Sequence, residues 1–229
     1  MILCAGLGTR LRPLTDDRPK ALVEIAGRSL LEITLGRLSG FGIREVIINV
    51  HHFADLIVEY LKARDNFGME IAISREEVLL DTGGGLKQAS WFFGNEPFIL
   101  HNVDVISTID LRRMAQFHAE NDALATLATQ DRETSRYLLF DDQDRLCGRR
   151  STRDPELQSL AFSGVHVISP RLLPMLDEEG AFSIITSYLE LAGRGEKILA
   201  FRADEYYWRD LGRIEHLEQA ADDLRKGRL

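Results

Sequence analysis

Residues that could hold an anion are concentrated at the start of the sequence. The apolar segment "MILC" is followed by Gly6 and Gly8, and the basic residues Arg10, Arg12 and Lys20 come next. Glycines after a strand allow backbone N–H groups to approach phosphate oxygens without an intervening Cβ atom. Arginine makes forked hydrogen bonds to phosphate, and lysine supplies a compact positive charge. The segment therefore predicts a polyphosphate-binding loop.

This opening loop matches neither of two common phosphate-binding motifs. The GxGxxG dinucleotide motif would need glycine where Leu11 stands, and the segment lacks the GxxxxGK[ST] pattern of a P-loop. Two glycines alone fit an ordinary turn equally well. The prediction therefore depends on their combination with Thr9-Arg10 and with Pro19-Lys20.

One acidic residue is placed where it could face this loop. Asp104 ends the segment "PFILHNVD", which reads as an apolar strand. In parallel sheets, ligands bind beyond the carboxyl ends of the strands, so we expect Asp104 to lie near the opening loop. The alternative is an aspartate that only caps a turn or a helix.

The elements that must position these residues alternate between strands and helices. "SLLEITLGRLSGFG" has apolar residues at helical spacing after Ser29, a predicted N-cap, and "REVIINV" reads as a buried strand. The β–α–β–α–β order of the first 110 residues predicts a mainly parallel sheet flanked by helices. Several strand-like segments between about 123 and 168 predict an antiparallel extension of that sheet. We predict a Rossmann-like, three-layer α/β/α fold with a mixed, mainly parallel central sheet.

Composition limits the functional classes. The 229 residues carry a net charge of −8, which argues against a general nucleic-acid surface. Cys4 and Cys147 lie far apart without a CxxC spacing, which indicates a reducing compartment. No apolar run approaches the length of a membrane span, and residues 1–22 lack the pattern of a secretory signal. We therefore predict a cytoplasmic protein without nucleic-acid or membrane partners.

The sequence resembles the sugar-1-phosphate nucleotidyltransferases, also called NDP-sugar pyrophosphorylases. Within that family it is most similar to short, single-domain enzymes related to the uridylyltransferases of N-acetylmuramate 1-phosphate. The resemblance extends over essentially the whole chain, and the opening motif is its most specific part. The segments that carry it, in family order, are "LCAGLGTRLRPLTDDRPKALVEIAGRSLLE" (3–32), "LLDTGGGL" (79–86), "NVDV" (102–105), "FSGVHVISP" (162–170) and "YYWRDLGRIEHL" (206–217).

The resemblance implies a reaction and a cofactor. A sugar 1-phosphate and a nucleoside triphosphate give an NDP-sugar and pyrophosphate, with Mg²⁺ as the cofactor. Asp104 and Asp210 match the metal-binding acids of the family, and hard carboxylate oxygens suit Mg²⁺. Arg10, Lys20 and Asp104 are the implied catalytic residues. Arg10 would hold the β- and γ-phosphates, and Lys20 the α-phosphate or the sugar phosphate.

The resemblance also implies binding residues for both substrates. We expect one domain over residues 1–229, with a nucleotide-binding half at 1–110 and a sugar-binding half at 111–229. The segment from Asp81 to Gly85 is interpreted as a second glycine loop before a helix, close to the base. The implied nucleotide-binding residues are Ala5, Gly6, Gly8, Thr9, Arg10, Thr82, Gly83 and Asn102, and the implied sugar-binding residues are Gly164 and Glu190.

The substrates themselves stay open at this point. The resemblance favours UTP with N-acetylmuramate 1-phosphate or a related hexose 1-phosphate. The alternatives are a guanylyltransferase for mannose- or heptose-type 1-phosphates, a cytidylyltransferase for phosphocholine, and a module that binds nucleotide sugars without turnover. We expect a monomer or a homodimer.

Overall fold

The computed structural model describes residues 1–228. The strands are β1 (Ile2–Leu3), β2 (Glu24–Ile25), β3 (Arg28–Ser29), β4 (Glu45–Val50), β5 (Glu70–Arg75), β6 (Phe98–Asn102), β7 (Val105–Ser107), β8 (Ala125–Gln130), β9 (Tyr137–Phe140), β10 (Leu146–Arg150), β11 (Gln158–Ile168), β12 (Ile198–Arg202) and β13 (Trp208–Asp210). The α-helices are α1 (Leu30–Gly40), α2 (Ala54–Lys62), α3 (Asp81–Gln88), α4 (Leu111–Glu120), α5 (Ile184–Gly193) and α6 (Ile214–Arg225).

The chain divides into two compact units that are not continuous in sequence. The first comprises residues 1–80, 101–108 and those described from 207 onward, and the second comprises 81–100 and 109–206. Each unit therefore contains residues from both sides of position 110. The single domain with halves at 1–110 and 111–229 stays a prediction from the sequence.

The first unit is built on parallel strands. β1 pairs in parallel with β4 and with the end of β6, and β4 pairs in parallel with β5. β1 has only two residues, yet Ile2 is fully buried between its neighbours. The predicted cap of α1 is confirmed, because the Ser29 hydroxyl accepts a hydrogen bond of 3.0 Å from the Glu32 N–H. β13 and β7 form a separate antiparallel pair.

The second unit contains the predicted antiparallel strands. β11 pairs antiparallel with β8 and with β9, and β9 pairs antiparallel with β10. β12 joins the other side of β8 in a parallel pairing. The α/β class and the mixture of parallel and antiparallel strands are therefore confirmed. Within residues 1–228, none of the helices combines the length and the apolar character needed to cross a bilayer.

The interpretation of residues 81–85 as a loop is wrong, because these residues form the first turns of α3. Glycine has a low helix propensity, so three in succession favour a loop when the sequence is considered alone. Tertiary packing explains the helix: a Cβ atom on Gly83 would lie 2.3 Å from Cε2 of Phe182. Gly83 thus lets α3 approach the Phe182 ring closely, and this packing outweighs the low helix propensity of glycine.

Candidate active site

The opening loop folds back on itself at Gly8. Gly8 adopts the left-handed conformation with φ of 65° and precedes a short 3₁₀ helix over Thr9–Leu11. A Cβ atom at this position would lie 3.0 Å from Thr15 Cγ2 and 3.1 Å from Lys20 Cβ. The Thr15 hydroxyl donates to the Gly8 carbonyl at 3.0 Å. Both the backbone conformation and the close packing therefore require glycine here.

Lys20 and Asp104 form an ion pair in the first unit. Lys20 begins a second 3₁₀ helix, Lys20–Leu22, and is only 8% exposed. Its ammonium group donates to Oδ2 of Asp104, whose side chain is 21% exposed. Asp104 lies two residues beyond the end of β6. The structure thus brings together two of the three predicted catalytic residues.

Asp210 lies on the strand paired with the segment that follows Asp104. In the β13–β7 pair Asp210 is opposite Val105, and the Leu211 N–H donates to the Asp104 carbonyl at 2.7 Å. The two aspartates are therefore on directly hydrogen-bonded segments. The Gly212 N–H donates to Asp210 Oδ1 at 2.9 Å, which orients this carboxylate.

Arg10 completes this group of charged side chains. Nη2 of Arg10 and Oδ1 of Asp210 each lie 2.7 Å from the position that a Cβ on Gly212 would occupy. Gly212 therefore leaves the space in which the tips of the two side chains approach one another. The predicted residues Arg10, Lys20, Asp104 and Asp210 thus all lie in the first unit, connected through these contacts.

The donor set fits Mg²⁺. Asp104 and Asp210 offer carboxylate oxygens on partly exposed side chains, at 21% and 33%. Across residues 1–228, no cluster of three or more His, Cys, Asp or Glu side chains is arranged to hold a metal. Two carboxylates suit Mg²⁺, which commonly takes one or two protein ligands and completes its shell with water and substrate phosphates.

The other predicted nucleotide-binding residues of the first unit lie around β1 and β6. Ala5 is buried and only 6% exposed, whereas Gly6 and Thr9 are exposed. Apart from its two chain neighbours, no described residue lies within 4 Å of the position that a Cβ on Gly6 would take. Asn102 ends β6 and pairs in register with Leu3. The opening loop therefore has open space at Gly6 for a group such as a phosphate.

The cysteine at the start of this loop is a buried thiol. Cys4 is 3% exposed and free. Burial raises the pKa of the Cys4 thiol, and the negative charge of Asp104 raises it further. The side chain is therefore a neutral, apolar part of the core rather than a nucleophile.

Thr82 and Gly83 lie in the second unit, at the start of α3. The Gly83 N–H donates to the Phe182 carbonyl at 2.9 Å, and the Thr82 hydroxyl accepts from the Ile184 N–H at 3.0 Å. The polar groups of this turn are thus engaged by the segment that leads into α5. A contact between these two residues and the base stays a prediction.

The two predicted sugar-binding residues differ in their surroundings. Gly164 has φ of 75° and lies where the register of β11 with β8 shifts between Phe162 and His166. Such a bulge turns the backbone of β11 away from its regular pairing. Glu190 lies on α5, 53% exposed, in an ion pair with Arg194 one turn later. That ion pair accounts for Glu190 without a sugar.

The sequence interpretation missed two residues that support the site. Thr15 holds the Gly8 carbonyl and is only 4% exposed, and Phe182 fills the space left by Gly83. A buried threonine in an irregular loop follows no periodicity, so no pattern would have identified Thr15. Phe182 lies about a hundred positions after Gly83, and a contact over that separation cannot be read from local sequence.

The profile of the nucleotidyl transferase family matches residues 1–227, and the chain belongs to that family. It is therefore a nucleotidyltransferase. The resemblance to sugar-1-phosphate nucleotidyltransferases that the sequence motifs indicated is confirmed.

Two relatives illustrate the relationship. The chain is 36% identical to the N-acetylmuramate alpha-1-phosphate uridylyltransferase of Caulobacter vibrioides over 226 residues, which cover 93% of this chain and 90% of that protein. It is 30% identical to the mannose-1-phosphate guanyltransferase of Yarrowia lipolytica, with 93% of this chain and 60% of that protein covered.

Solved structures with low sequence identity share the fold. HddC from Yersinia pseudotuberculosis, complexed with GMP-PN, aligns with a TM-score of 0.80 at 22% identity, covering 97% of each chain. A UDP-glucose pyrophosphorylase complexed with UDP-glucose aligns with a TM-score of 0.83 at 17% identity, covering 99% of this chain and 97% of that one. The predicted Rossmann-like α/β/α fold is therefore confirmed.

Proposed function

We propose that this protein transfers a uridylyl group from UTP to N-acetylmuramate 1-phosphate or a related hexose 1-phosphate, giving a UDP-sugar and pyrophosphate. The observation that carries the proposal is the group formed by Arg10, Lys20, Asp104 and Asp210 in the first unit. The choice of base and sugar rests on the 36% identity to the Caulobacter vibrioides uridylyltransferase.

The reaction is a displacement at phosphorus. An oxygen of the sugar phosphate attacks the α-phosphorus of UTP, and the bond from that phosphorus to the bridging oxygen of the β-phosphate breaks. Pyrophosphate leaves with the bonding electron pair. Such chemistry depends on positioning and on the neutralisation of negative charge rather than on a covalent intermediate.

We assign the cationic residues to different phosphates. Arg10, an exposed residue, is assigned to the β- and γ-phosphates, which leave together. Lys20 is held by Asp104 and supplies a fixed positive charge for the α-phosphate or the sugar phosphate. A cation whose position is set before substrate binds costs little reorganisation during the reaction.

Asp104 and Asp210 are the residues that would hold Mg²⁺. When bound, the ion supplies charge neutralisation at the α-phosphate and at the leaving pyrophosphate. The two residues are about a hundred positions apart in sequence. The hydrogen bond from the Leu211 N–H to the Asp104 carbonyl holds their segments together.

The remaining assignments follow the family pattern. The nucleotide is assigned to Ala5, Gly6, Gly8 and Thr9 of the opening loop, to Asn102 at the end of β6, and to Thr82 and Gly83 of α3. The sugar is assigned to Gly164 at the bulge of β11. Glu190 is assigned to the sugar on the sequence resemblance alone. Its ion pair with Arg194 does not support that assignment.

Guanylyl transfer to a mannose- or heptose-type 1-phosphate is the second candidate. It is favoured by the 30% identity to the mannose-1-phosphate guanyltransferase of Yarrowia lipolytica. Both candidates use the same charged group, so they differ only in the base and in the sugar.

The compartment is proposed from the cysteines. Cys4 and Cys147 are both free, the first buried and the second exposed. An unpaired exposed thiol is typical of a reducing environment, and we propose the cytoplasm. The chain is proposed to act as a monomer or a homodimer.

The test is pyrophosphate release from the purified protein with Mg²⁺. UTP, GTP, CTP, ATP and dTTP are each combined with N-acetylmuramate 1-phosphate, glucose 1-phosphate, mannose 1-phosphate, a heptose 1-phosphate and phosphocholine. We expect the highest kcat/KM with UTP and N-acetylmuramate 1-phosphate or another hexose 1-phosphate. A preference for GTP would establish the second candidate, and a preference for CTP with phosphocholine would overturn both.

A further inference from the structure

A buried polar side chain lies at the end of β1, where an apolar residue would be expected. β1 ends at Leu3, which pairs in register with Asn49 of β4. Asn49 is 2% exposed, and its side-chain oxygen accepts a hydrogen bond of 2.8 Å from the Cys4 N–H. The side-chain amide of Asn49 thus holds the N–H of Cys4, the first residue after β1. That residue begins the segment that leads to Gly6 and Gly8.

The other end of the Asn49 side chain contacts a second buried polar group. Its NH₂ donates to Oε1 of Glu76 at 2.6 Å, and Glu76 is 5% exposed. The second carboxylate oxygen of Glu76 accepts from the Leu80 N–H at 3.0 Å. Both oxygens of this buried carboxylate are therefore used by neutral donors, which offsets part of the cost of burying it.

These contacts form one hydrogen-bonded chain from Cys4 through Asn49 and Glu76 to Leu80, and all four residues belong to the first unit. Its two ends lie next to two segments that the proposed function assigns to the nucleotide. Cys4 directly precedes Ala5 and Gly6, and Leu80 lies two residues before Thr82. Asn49 is hydrogen-bonded to Cys4 and Glu76, and Glu76 is hydrogen-bonded to Asn49 and Leu80. Neither side chain can therefore shift without breaking a buried hydrogen bond.

We propose that Asn49 and Glu76 are positioning residues for the nucleoside triphosphate: they fix the start of the opening loop and the backbone at Leu80, both in the first unit, in the arrangement that binds the nucleotide. This inference rests on the proposed function. Neither side chain is assigned a contact with substrate, and their effect is on where the backbone of residues 4 and 80 is held. A buried network with every member satisfied rigidifies the backbone that it joins.

The first test removes the central member of the chain. Asn49→Ala leaves the Cys4 N–H and the Glu76 carboxylate each without one partner. We expect the Kd for UTP, measured by calorimetry with Mg²⁺, to rise about tenfold or more, because small displacements of binding groups are costly. The KM for the sugar 1-phosphate should stay within about twofold, as neither end of the hydrogen-bonded chain leads to Gly164.

The control separates positioning from a loss of stability. Val46 lies three residues earlier in β4, 1% exposed, and its side chain points to the opposite face of the strand. Val46→Ala truncates the core without touching the hydrogen-bonded chain. We expect it to lower the melting temperature while leaving the Kd for UTP unchanged. An equal loss of UTP affinity in both variants would overturn the inference.

Asn49→Asp gives a second readout and serves if Asn49→Ala fails to fold. The aspartate keeps an acceptor for the Cys4 N–H but sets a carboxyl group against Glu76. The variant thus keeps one of the two hydrogen bonds made by the Asn49 side chain and loses the other. We expect its Kd for UTP to rise as well, because the backbone at residues 4 and 80 is no longer joined through a satisfied network.

The outcomes distinguish this inference from the proposed function. If the wild type binds UTP and turns over, but Asn49→Ala keeps its UTP affinity, only the inference is overturned. An Asn49→Asp variant that binds UTP as tightly as the wild type would also overturn it. If the wild type binds none of the five nucleoside triphosphates, both the proposed function and the inference are overturned.

Discussion

At the scale of single residues, Lys20 is a buried charge that an ion pair with Asp104 stabilises. An ammonium group at 8% exposure is costly unless an anion lies against it, and Asp104 meets that need. The 3₁₀ turn that begins at Lys20 and the packing of Gly8 against its Cβ fix the stem of the side chain. The charge therefore occupies one fixed position in the first unit.

Asp104 and Asp210 are expected to act as a unit. If both bind one Mg²⁺, each Asp→Asn change should lower kcat/KM about a hundredfold or more, and the double change should cost little beyond either single change. The measurement is kcat/KM for the two single variants and the double variant across a Mg²⁺ titration. Additive losses that excess Mg²⁺ does not alter would show that the acids do not share an ion.

The sequence could predict which residues form this charged group, but not how they contact one another. The succession of glycines, Thr-Arg and Pro-Lys after an apolar segment is specific enough to indicate a phosphate loop. The ion pair between Lys20 and Asp104 joins positions that lie 84 residues apart. Such a contact depends on how β6 and β1 are paired, which no local pattern contains.

At the scale of elements, α3 shows a helix whose composition opposes its conformation. Three consecutive glycines disfavour a helix, but Gly83 allows the close approach to Phe182. Strongly periodic segments such as α1 and buried strands such as β4 could be predicted, because their own residues determine them. β10 could not, since its residues "LCGRR" include a glycine and are mostly not buried.

Gly83→Ala is expected to destabilise the protein. The added Cβ would lie 2.3 Å from the ring of Phe182, which must move, and overpacking of this kind costs about 1–3 kcal/mol. Urea unfolding of the variant measures the loss. The matched control is Gly193→Ala in the last position of α5, where no described atom outside its chain neighbours and the nearby backbone of α5 lies within 4 Å of the new Cβ. If both variants were as stable as the wild type, packing against Phe182 would not be the reason for glycine at 83.

At the scale of the whole molecule, each unit buries a neutral histidine. In the first unit His101 is fully buried, and burial lowers its pKa to about 4. In the second unit burial lowers the pKa of His118 to about 4. Since the Ser169 hydroxyl donates to the Ala123 carbonyl, it accepts from Nε2 of His118, and Nδ1 then accepts from Thr126. This pattern of hydrogen bonds is complete for the neutral ring.

These histidines should make the fold sensitive to mild acid. In the unfolded chain each histidine takes up a proton near pH 6.5, whereas in the folded protein uptake is delayed to about pH 4. The unfolded state therefore binds more protons between these values, and the free energy of unfolding falls as the pH is lowered. We expect a loss of about 1 kcal/mol from each histidine between pH 7.5 and 5.5.

Urea unfolding at pH 7.5, 6.5 and 5.5 measures this dependence. His118→Gln removes one titrating group, so its free energy of unfolding should vary less steeply with pH than that of the wild type. A wild-type stability that is flat over this range would contradict the prediction. Equal slopes for wild type and variant would show that His118 does not contribute.

The antiparallel pair of β7 and β13 has a consequence for biosynthesis. β7 is translated about a hundred codons before β13, so the nascent chain presents an unpaired strand edge during much of its synthesis. A polypeptide that terminates before residue 207 carries Lys20 and Asp104 but neither Asp210 nor the partner of β7. Interrupted translation therefore yields products in which the cationic loop is present and the second acid is missing.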